Sequence, residues 1–165
     1  MFCHLIRHGK DDENYRGGWS GLGLVHEGME QAKQLATYLK GKNTGYGIRK
    51  IVSSDLVRAK ETAEILAKEL ELPVITDEEL READNGDLAG MLNEEALEKY
   101  PGLFWSTLKP DECYPNGESP NIFFARIEKW LKIFIKECKA VEGNVLVVTH
   151  GGVINVVYHL VKNME

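Results

Sequence analysis

The chain is poor in three things, each of which would have pointed to a different biology. Cysteine occurs three times in 165 residues, at Cys3, Cys113 and Cys138. An odd and widely spaced set suits neither a disulfide framework nor a zinc site, and it fits a reducing compartment. Cys3, inside an apolar run, is expected as a small buried hydrophobe. Basic charge is outweighed, with 20 Lys and Arg against 26 Asp and Glu and a formal net charge of −6. Without a basic footprint, no nucleic-acid partner is expected. No apolar run reaches the ~20 residues of a membrane span, so no membrane partner is expected. The amino terminus also lacks the basic-then-apolar order of a secretory signal. A cytoplasmic protein is the resulting expectation, and nothing in the pattern sets an oligomeric state.

What is present is an alternation of strand-like and helix-like segments, with no low-complexity linker. At this length a single domain over 1–165 is expected. Apolar runs at 2–8, 48–54, 73–75 and 144–149 read as strands. Helices are expected at about 25–41, 56–70, 120–138 and after residue 150. Phe123, Ile127, Trp130, Leu131 and Phe134 recur at helical spacing and are expected in the core. This βαβ order predicts an α/β fold of three layers, α/β/α, with a largely parallel sheet flanked by helices. The stretch 91–120, with Phe104, Trp105, Lys109 and Tyr114, breaks the alternation and is expected to cover a pocket as a lid or substrate segment.

Two strands end in histidine and glycine, at Arg7-His8-Gly9 and at Thr149-His150-Gly151-Gly152. Open α/β sheets bind ligands outside the carboxyl ends of their strands, so His8 and His150 are expected in one crevice. Arg7 arrives beside His8, and Arg58 follows a third strand within the first turn of its helix. Two forked guanidinium groups match the oxygens of a tetrahedral anion. Free N–H groups at the helix start after His150 would add to that surface. Taken singly, an arginine at a strand end is often a structural ion-pair residue. Linked to His8, Arg58 and His150, Arg7 reads instead as part of an anion site. His4 lies on the same strand face as His8 but about 13 Å away, too far to share a metal, and is expected to be packed. His26 and His159 fall on helices and are expected at the surface or in structural roles.

These residues sit in six blocks whose order and spacing resemble the histidine phosphatase superfamily, along nearly the whole chain. The blocks are Arg7-His8-Gly9 with Asn14; Gly18-Trp19 and Leu24 to Ala32; Ser53-Ser54, Arg58-Ala59 and Thr62-Ala63; Leu80, Glu82 and Gly86; Gly117-Glu118-Ser119 with Arg126; and His150-Gly151. The resemblance implies a phosphoglycerate mutase-like fold. It also implies catalysis by His8, Glu82, His150, Arg7 and Arg58, with Arg7, Asn14, Arg58, His150 and Gly151 binding a small phosphate monoester. His8 would be the nucleophile, forming a phosphohistidine. Glu82 would protonate the leaving oxygen and then activate water, with Asp11 and Asp84 as other acid candidates. No metal and no cofactor is implied, because the arginines neutralise charge.

The implied activity is metal-independent phosphatase action. Phosphoglycerate mutase activity is an alternative, and so is a non-catalytic phosphate- or phosphopeptide-binding module. Mutases of the superfamily carry Arg-His-Tyr after the acid glutamate, where this chain has Ala83-Asp84-Asn85. Many relatives have glutamate and then Thr or Ser after Arg-His-Gly, where this chain has Lys10-Asp11. Asp11 places negative charge near the anion, and Lys10 is expected to offset it. Asp11, Asp12, Glu13, Asp84 and Asp87 are expected to ring the mouth and disfavour polyanions. The chain ends about one helix after His150, where relatives commonly carry a further strand.

Overall fold

The computed structural model describes residues 2–138 and 142–162, with the side chains of residues 43, 44 and 138 left aside. Four strands, β1 (Cys3–Arg7), β2 (Ile48–Ser53), β3 (Val74–Thr76) and β4 (Asn144–Thr149), form one parallel sheet in the order β1-β4-β2-β3. The longer helices are α1 (His26–Tyr46), α2 (Val57–Leu70), α3 (Asn93–Lys99), α4 (Pro120–Cys138) and α5 (Gly151–Lys162). The expected three-layer α/β/α class is the one observed.

The central strand explains the layering. Val145, Leu146, Val147 and Val148 on β4 are all buried, as a strand covered on both faces requires. Successive side chains alternate between faces. Val145 and Val147 pack with Phe123, Ile127, Trp130, Leu131 and Phe134 of α4 and Val153 and Val157 of α5. Leu146 and Val148 pack with Ala36 and Leu39 of α1 and Ala59, Ala63 and Leu66 of α2. Each fully buried branched side chain contributes about 1.5–3 kcal/mol, so a charge at Val147 would disrupt the layer that fixes the site.

Several expectations need correction. Cys3 is exposed, because it opens β1, which lies at the edge of the sheet. Helix α1 runs to Tyr46 rather than 41. The excursion 91–120 contains α3 and a 3-10 turn at Trp105–Thr107. His4 packs edge-on to Tyr46, with ring centroids 5.4 Å apart. His26 and His159 are exposed, as expected. Residues 1, 139–141 and 163–165 of the single-domain expectation lie outside the described residues. Among the described residues, no helix is long and apolar enough to cross a membrane.

Candidate active site

Register brings the two histidines together. Arg7 pairs with Thr149, and the His8 N–H donates to the Thr149 carbonyl at 3.0 Å, so the residue after β1 lies beside the residue after β4. The His8 and His150 rings are 5.0 Å apart, centroid to centroid. From the other side, Ser54 N–H donates to Val148 O at 2.9 Å and starts the turn into α2. Arg58 then projects from the first turn of α2, with its Nε reaching His8. Gly9 N–H donates to Thr62 Oγ1 at 3.0 Å, and Thr62 Oγ1 donates to Arg58 O at 2.8 Å. The Arg-His-Gly loop is thereby tied to the helix that carries Arg58.

His8 is arranged as a nucleophile. Its Nδ1 lies 2.6 Å from Gly9 O, an acceptor, which assigns the proton to Nδ1 and the lone pair to Nε2. Arg58 Nε donates to that Nε2 at 3.2 Å. Burial, with Arg58 and Arg7 nearby, pulls the His8 pKa down to about 4 from the ordinary 6.5, against upward pulls from Gly9 O and Asp11. The ring is therefore neutral at neutral pH.

His150 is fully buried, and burial with the charges of Arg58, His8 and Arg7 pushes its pKa down to about 2. Its Nε2 lies 2.9 Å from Ser54 Oγ, which also accepts the Leu56 N–H. If Ser54 O–H donates to Nε2, the His150 proton sits on Nδ1. That nitrogen has no protein partner among the described residues, and it is the donor a phosphoryl oxygen would meet.

Arg58 is 2% exposed and is held at every donor nitrogen. Beyond His8, its Nη2 donates to Gly18 O at 2.8 Å and its Nη1 to Ser20 Oγ at 3.4 Å. Burial lowers its pKa, while Asp11 and Glu82 pull it back up. Arg7 differs, with a side chain 60% exposed and Asp11 as its ion-pair partner at 3.9 Å. Lys10 does not offset Asp11 as expected. Its ammonium is turned away, onto Glu27 at 2.8 Å.

Glu82 lies against the start of α5. Its Oε2 accepts the Gly152 N–H and its Oε1 the Ala83 N–H, each at 3.1 Å. A Cβ at Gly152 would collide with Glu82 Oε1, so the carboxylate keeps this place only while residue 152 has no side chain and would have to shift to admit one. Trp19 Nε1 and Arg126 Nη2 both donate to the Glu82 carbonyl, at 2.7 and 3.1 Å. Glu118 in turn binds Arg126 through Nε at 2.8 Å and Nη2 at 2.9 Å. Sequence reasoning quoted Trp19, Ser54, Thr62, Glu118 and Arg126 as motif members without giving them these tasks.

Outside Glu82 a cleft of about 630 Å³ opens, lined by Arg16, Phe104, Trp105, Tyr114 and Phe123, with Gly151 and Gly152 at its base. Lys109 is exposed and does not line it. Asn14 is not brought to the site either. Its side chain donates to Asp12 Oδ1 at 2.9 Å and lines a separate hollow with Leu92 and Glu94. Of the acidic residues expected around the mouth, three aspartates hold local hydrogen bonds. Asp84 accepts from Gly86 N–H, Asp87 from Asn116 and Asp12 from Asn14, leaving Asp11 as the aspartate of this set that meets the arginines. Among the described residues no three His, Cys, Asp or Glu side chains converge as a metal site would need.

Comparison with known proteins gives this geometry a family. The chain is 33% identical over 159 residues to a 2,3-bisphosphoglycerate-dependent phosphoglycerate mutase of Parvibaculum lavamentivorans, covering 89% of this chain and 73% of that protein. Among solved structures, the alpha-ribazole phosphatase of Shigella flexneri superposes with a TM-score of 0.85 at 26% identity, over 100% of this chain and 81% of that one. A mycobacterial glucosyl-3-phosphoglycerate phosphatase superposes with a TM-score of 0.76 at 28% identity, over 98% and 79%. The profile of the histidine phosphatase superfamily (branch 1) matches residues 3–165, and the chain belongs to that family.

Proposed function

We propose that this chain is a metal-independent phosphatase that hydrolyses a small phosphate monoester through a phosphohistidine on His8. The carrying observation is the His8 ring, neutral and with Nε2 facing Arg58 beside His150. In the first step Nε2 attacks phosphorus while the bond to the ester oxygen breaks, and Glu82 gives that oxygen a proton. In the second step Glu82 takes a proton from water as the water oxygen attacks phosphorus. The P–N bond breaks, which returns neutral His8 and free phosphate. Arg7, Arg58 and His150 Nδ1 stabilise the charge on the transferring oxygens, the largest contribution expected.

Substrate orientation follows from the same arrangement. The phosphoryl group sits at the strand ends, and the alcohol part extends past Glu82 into the cleft of Phe104, Trp105 and Tyr114. Gly151 opens the base of that path, and its N–H lies at the start of α5. Hydrolysis is favoured over phosphoryl return to a second hydroxyl by the residues after Glu82. Ala83 is apolar, and Asp84 is occupied with Gly86 N–H, so neither adds a cation to hold a bisphosphate.

The direct test is hydrolysis of para-nitrophenyl phosphate in EDTA, with His8→Ala alongside. Turnover that survives chelation and is lost in the variant supports the reading. Loss of wild-type turnover in EDTA overturns metal independence. Faster interconversion of 3-phosphoglycerate than its hydrolysis, under 2,3-bisphosphoglycerate priming, would assign a mutase instead.

A further inference from the structure

Asp11 occupies an unexpected place for a carboxylate. Its Oδ2 lies 3.4 Å from Arg58 Nε, the nitrogen that also donates to the His8 nucleophile, and its Oδ1 lies 3.9 Å from Arg7 Nη2. The side chain is 16% exposed. Its loop is held in place rather than draped there. Asp11 bridges to Leu24, Val25 N–H donates to Lys10 O at 3.0 Å, and Leu24 N–H donates to Glu61 at 2.7 Å. The neighbouring cation, Lys10, is paired with Glu27 instead.

We infer that Asp11 is a specificity determinant of this pocket, selecting phosphoryl groups that carry one negative charge over those that carry two. The inference rests on the phosphoryl-transfer reading and adds a charge preference to it. The groups facing Asp11 are Arg7 from β1, His8 from the loop after it and Arg58 from α2, with Glu82 across Arg58 on the α5 side. His8 and His150 are neutral, so Asp11, and Glu82 on the far side of Arg58, oppose the two positive charges that Arg7 and Arg58 bring to the phosphoryl oxygens. A monoanion meets less of that opposition than a dianion. A dianion brings a second negative charge to a donor Asp11 already holds, in a buried setting where water screens it poorly. A threonine or serine there would not oppose it.

The test is calorimetric binding of two competitors at one mildly alkaline pH. Phenylphosphonate carries two charges there and its monomethyl ester one, and the protein is compared as wild type, Asp11→Asn and Asp11→Ser. Asparagine keeps the shape and removes the charge, and serine also removes the bulk. Phenylphosphonate affinity is expected to rise about ten-fold or more in both variants, with the monoester changing by less than about three-fold. An equal gain for both ligands would make Asp11 a steric obstacle and overturn the inference. So would no change, or a loss, which would make Asp11 an orienting partner of the arginines. Failure of every form to bind either ligand would instead remove the phosphoryl-site reading on which the inference stands.

Discussion

The site has two halves built on opposite principles. The inner half, His8, Arg58 and His150, sits at the ends of packed strands and in the first turn of a packed helix, and each member is buried. The outer half, Arg16, Phe104 and Trp105, sits on loop and 3-10 backbone, and Trp105 is 41% exposed. Arg16 stacks on Phe104 at 4.7 Å and Trp105 stacks on Tyr114 at 6.5 Å, so ring contacts join side chains whose backbones are tied locally, as where Arg16 N–H donates to Met91 O. Rigid strand ends fix the geometry of a reaction, while a loop can change shape with the molecule it encloses. The inner half should therefore set the rate, and the outer half should choose the alcohol.

The largest effect that could break this division is at Arg58. Arg58→Met keeps apolar bulk but removes the donors to His8, Ser20 and Gly18 O. Turnover should fall by at least 10²–10³-fold, as for loss of one preorganised transition-state donor. Steady-state kinetics with two unrelated substrates checks it. Equal losses for both place Arg58 with the chemistry, whereas a loss confined to one would move it to the selecting half.

Next in size is the proton path. Gly152→Ala drives a methyl group into Glu82 Oε1 while leaving the histidines untouched. Positioned acid catalysis contributes about 10²–10⁴-fold, and it matters most when the leaving oxygen is basic. Gly152→Ala and Glu82→Gln should each slow an alkyl phosphate by about ten-fold more than para-nitrophenyl phosphate. Equal slowing of the two substrates would show that Glu82 does not protonate the leaving oxygen.

Much of the inner half was legible in the sequence, because backbone grammar carries it. A strand that ends in His-Gly can deliver its histidine only to the sheet edge, and two such ends converge in a parallel sheet beside the end of β2 that leads to Arg58. Charge placement beyond the strands was not legible. Lys10 and Asp11 are adjacent, yet one turns to Glu27 on α1 and the other to Arg58 on α2. That choice depends on which helix packs where. Asn14 matched its motif position, but the local bond to Asp12 Oδ1 turns it elsewhere. Cys3 read as buried because a single strand does not reveal whether it is central or at an edge. The outer wall was located through its aromatics, but the stacking partner of each ring depends on tertiary contacts that no spacing encodes.

The inner half also carries a cost in acid that the outer half does not. His8 and His150 have pKa values pulled down to about 4 and about 2, so at pH 6 an unfolded chain binds protons that the folded one refuses. Stability is therefore fully present above the ordinary histidine value of 6.5 and falls below it, by up to about 1.4 kcal/mol per pH unit for each histidine. The His8 share ends near pH 4. Asp55, held below its ordinary 3.8 chiefly by Arg81, adds its own loss only below that value. Urea midpoints between pH 7 and pH 4.5 should fall steadily in the wild type and about half as steeply in His8→Asn. An unchanged slope would show that His8 titrates normally in the folded protein.

The smallest effect belongs to the outer wall. Trp105→Ala removes a ring that stacks on Tyr114 and meets Phe123 edge-on at 5.5 Å. Tyr114 and Phe123 are themselves buried, so the fold beneath should persist. An aromatic contact of this kind is worth about 0.5–1.5 kcal/mol beyond area burial, which is up to about ten-fold in affinity. KM for an aryl phosphate should rise by that factor, with kcat nearly unchanged and a small phosphate ester such as glycerol phosphate barely affected. Raised KM for both substrates would mean that the wall acts as a general cover rather than a reader of the alcohol. A fall in kcat for both would join Trp105 to the catalytic half, and the two-part division of the site would fail.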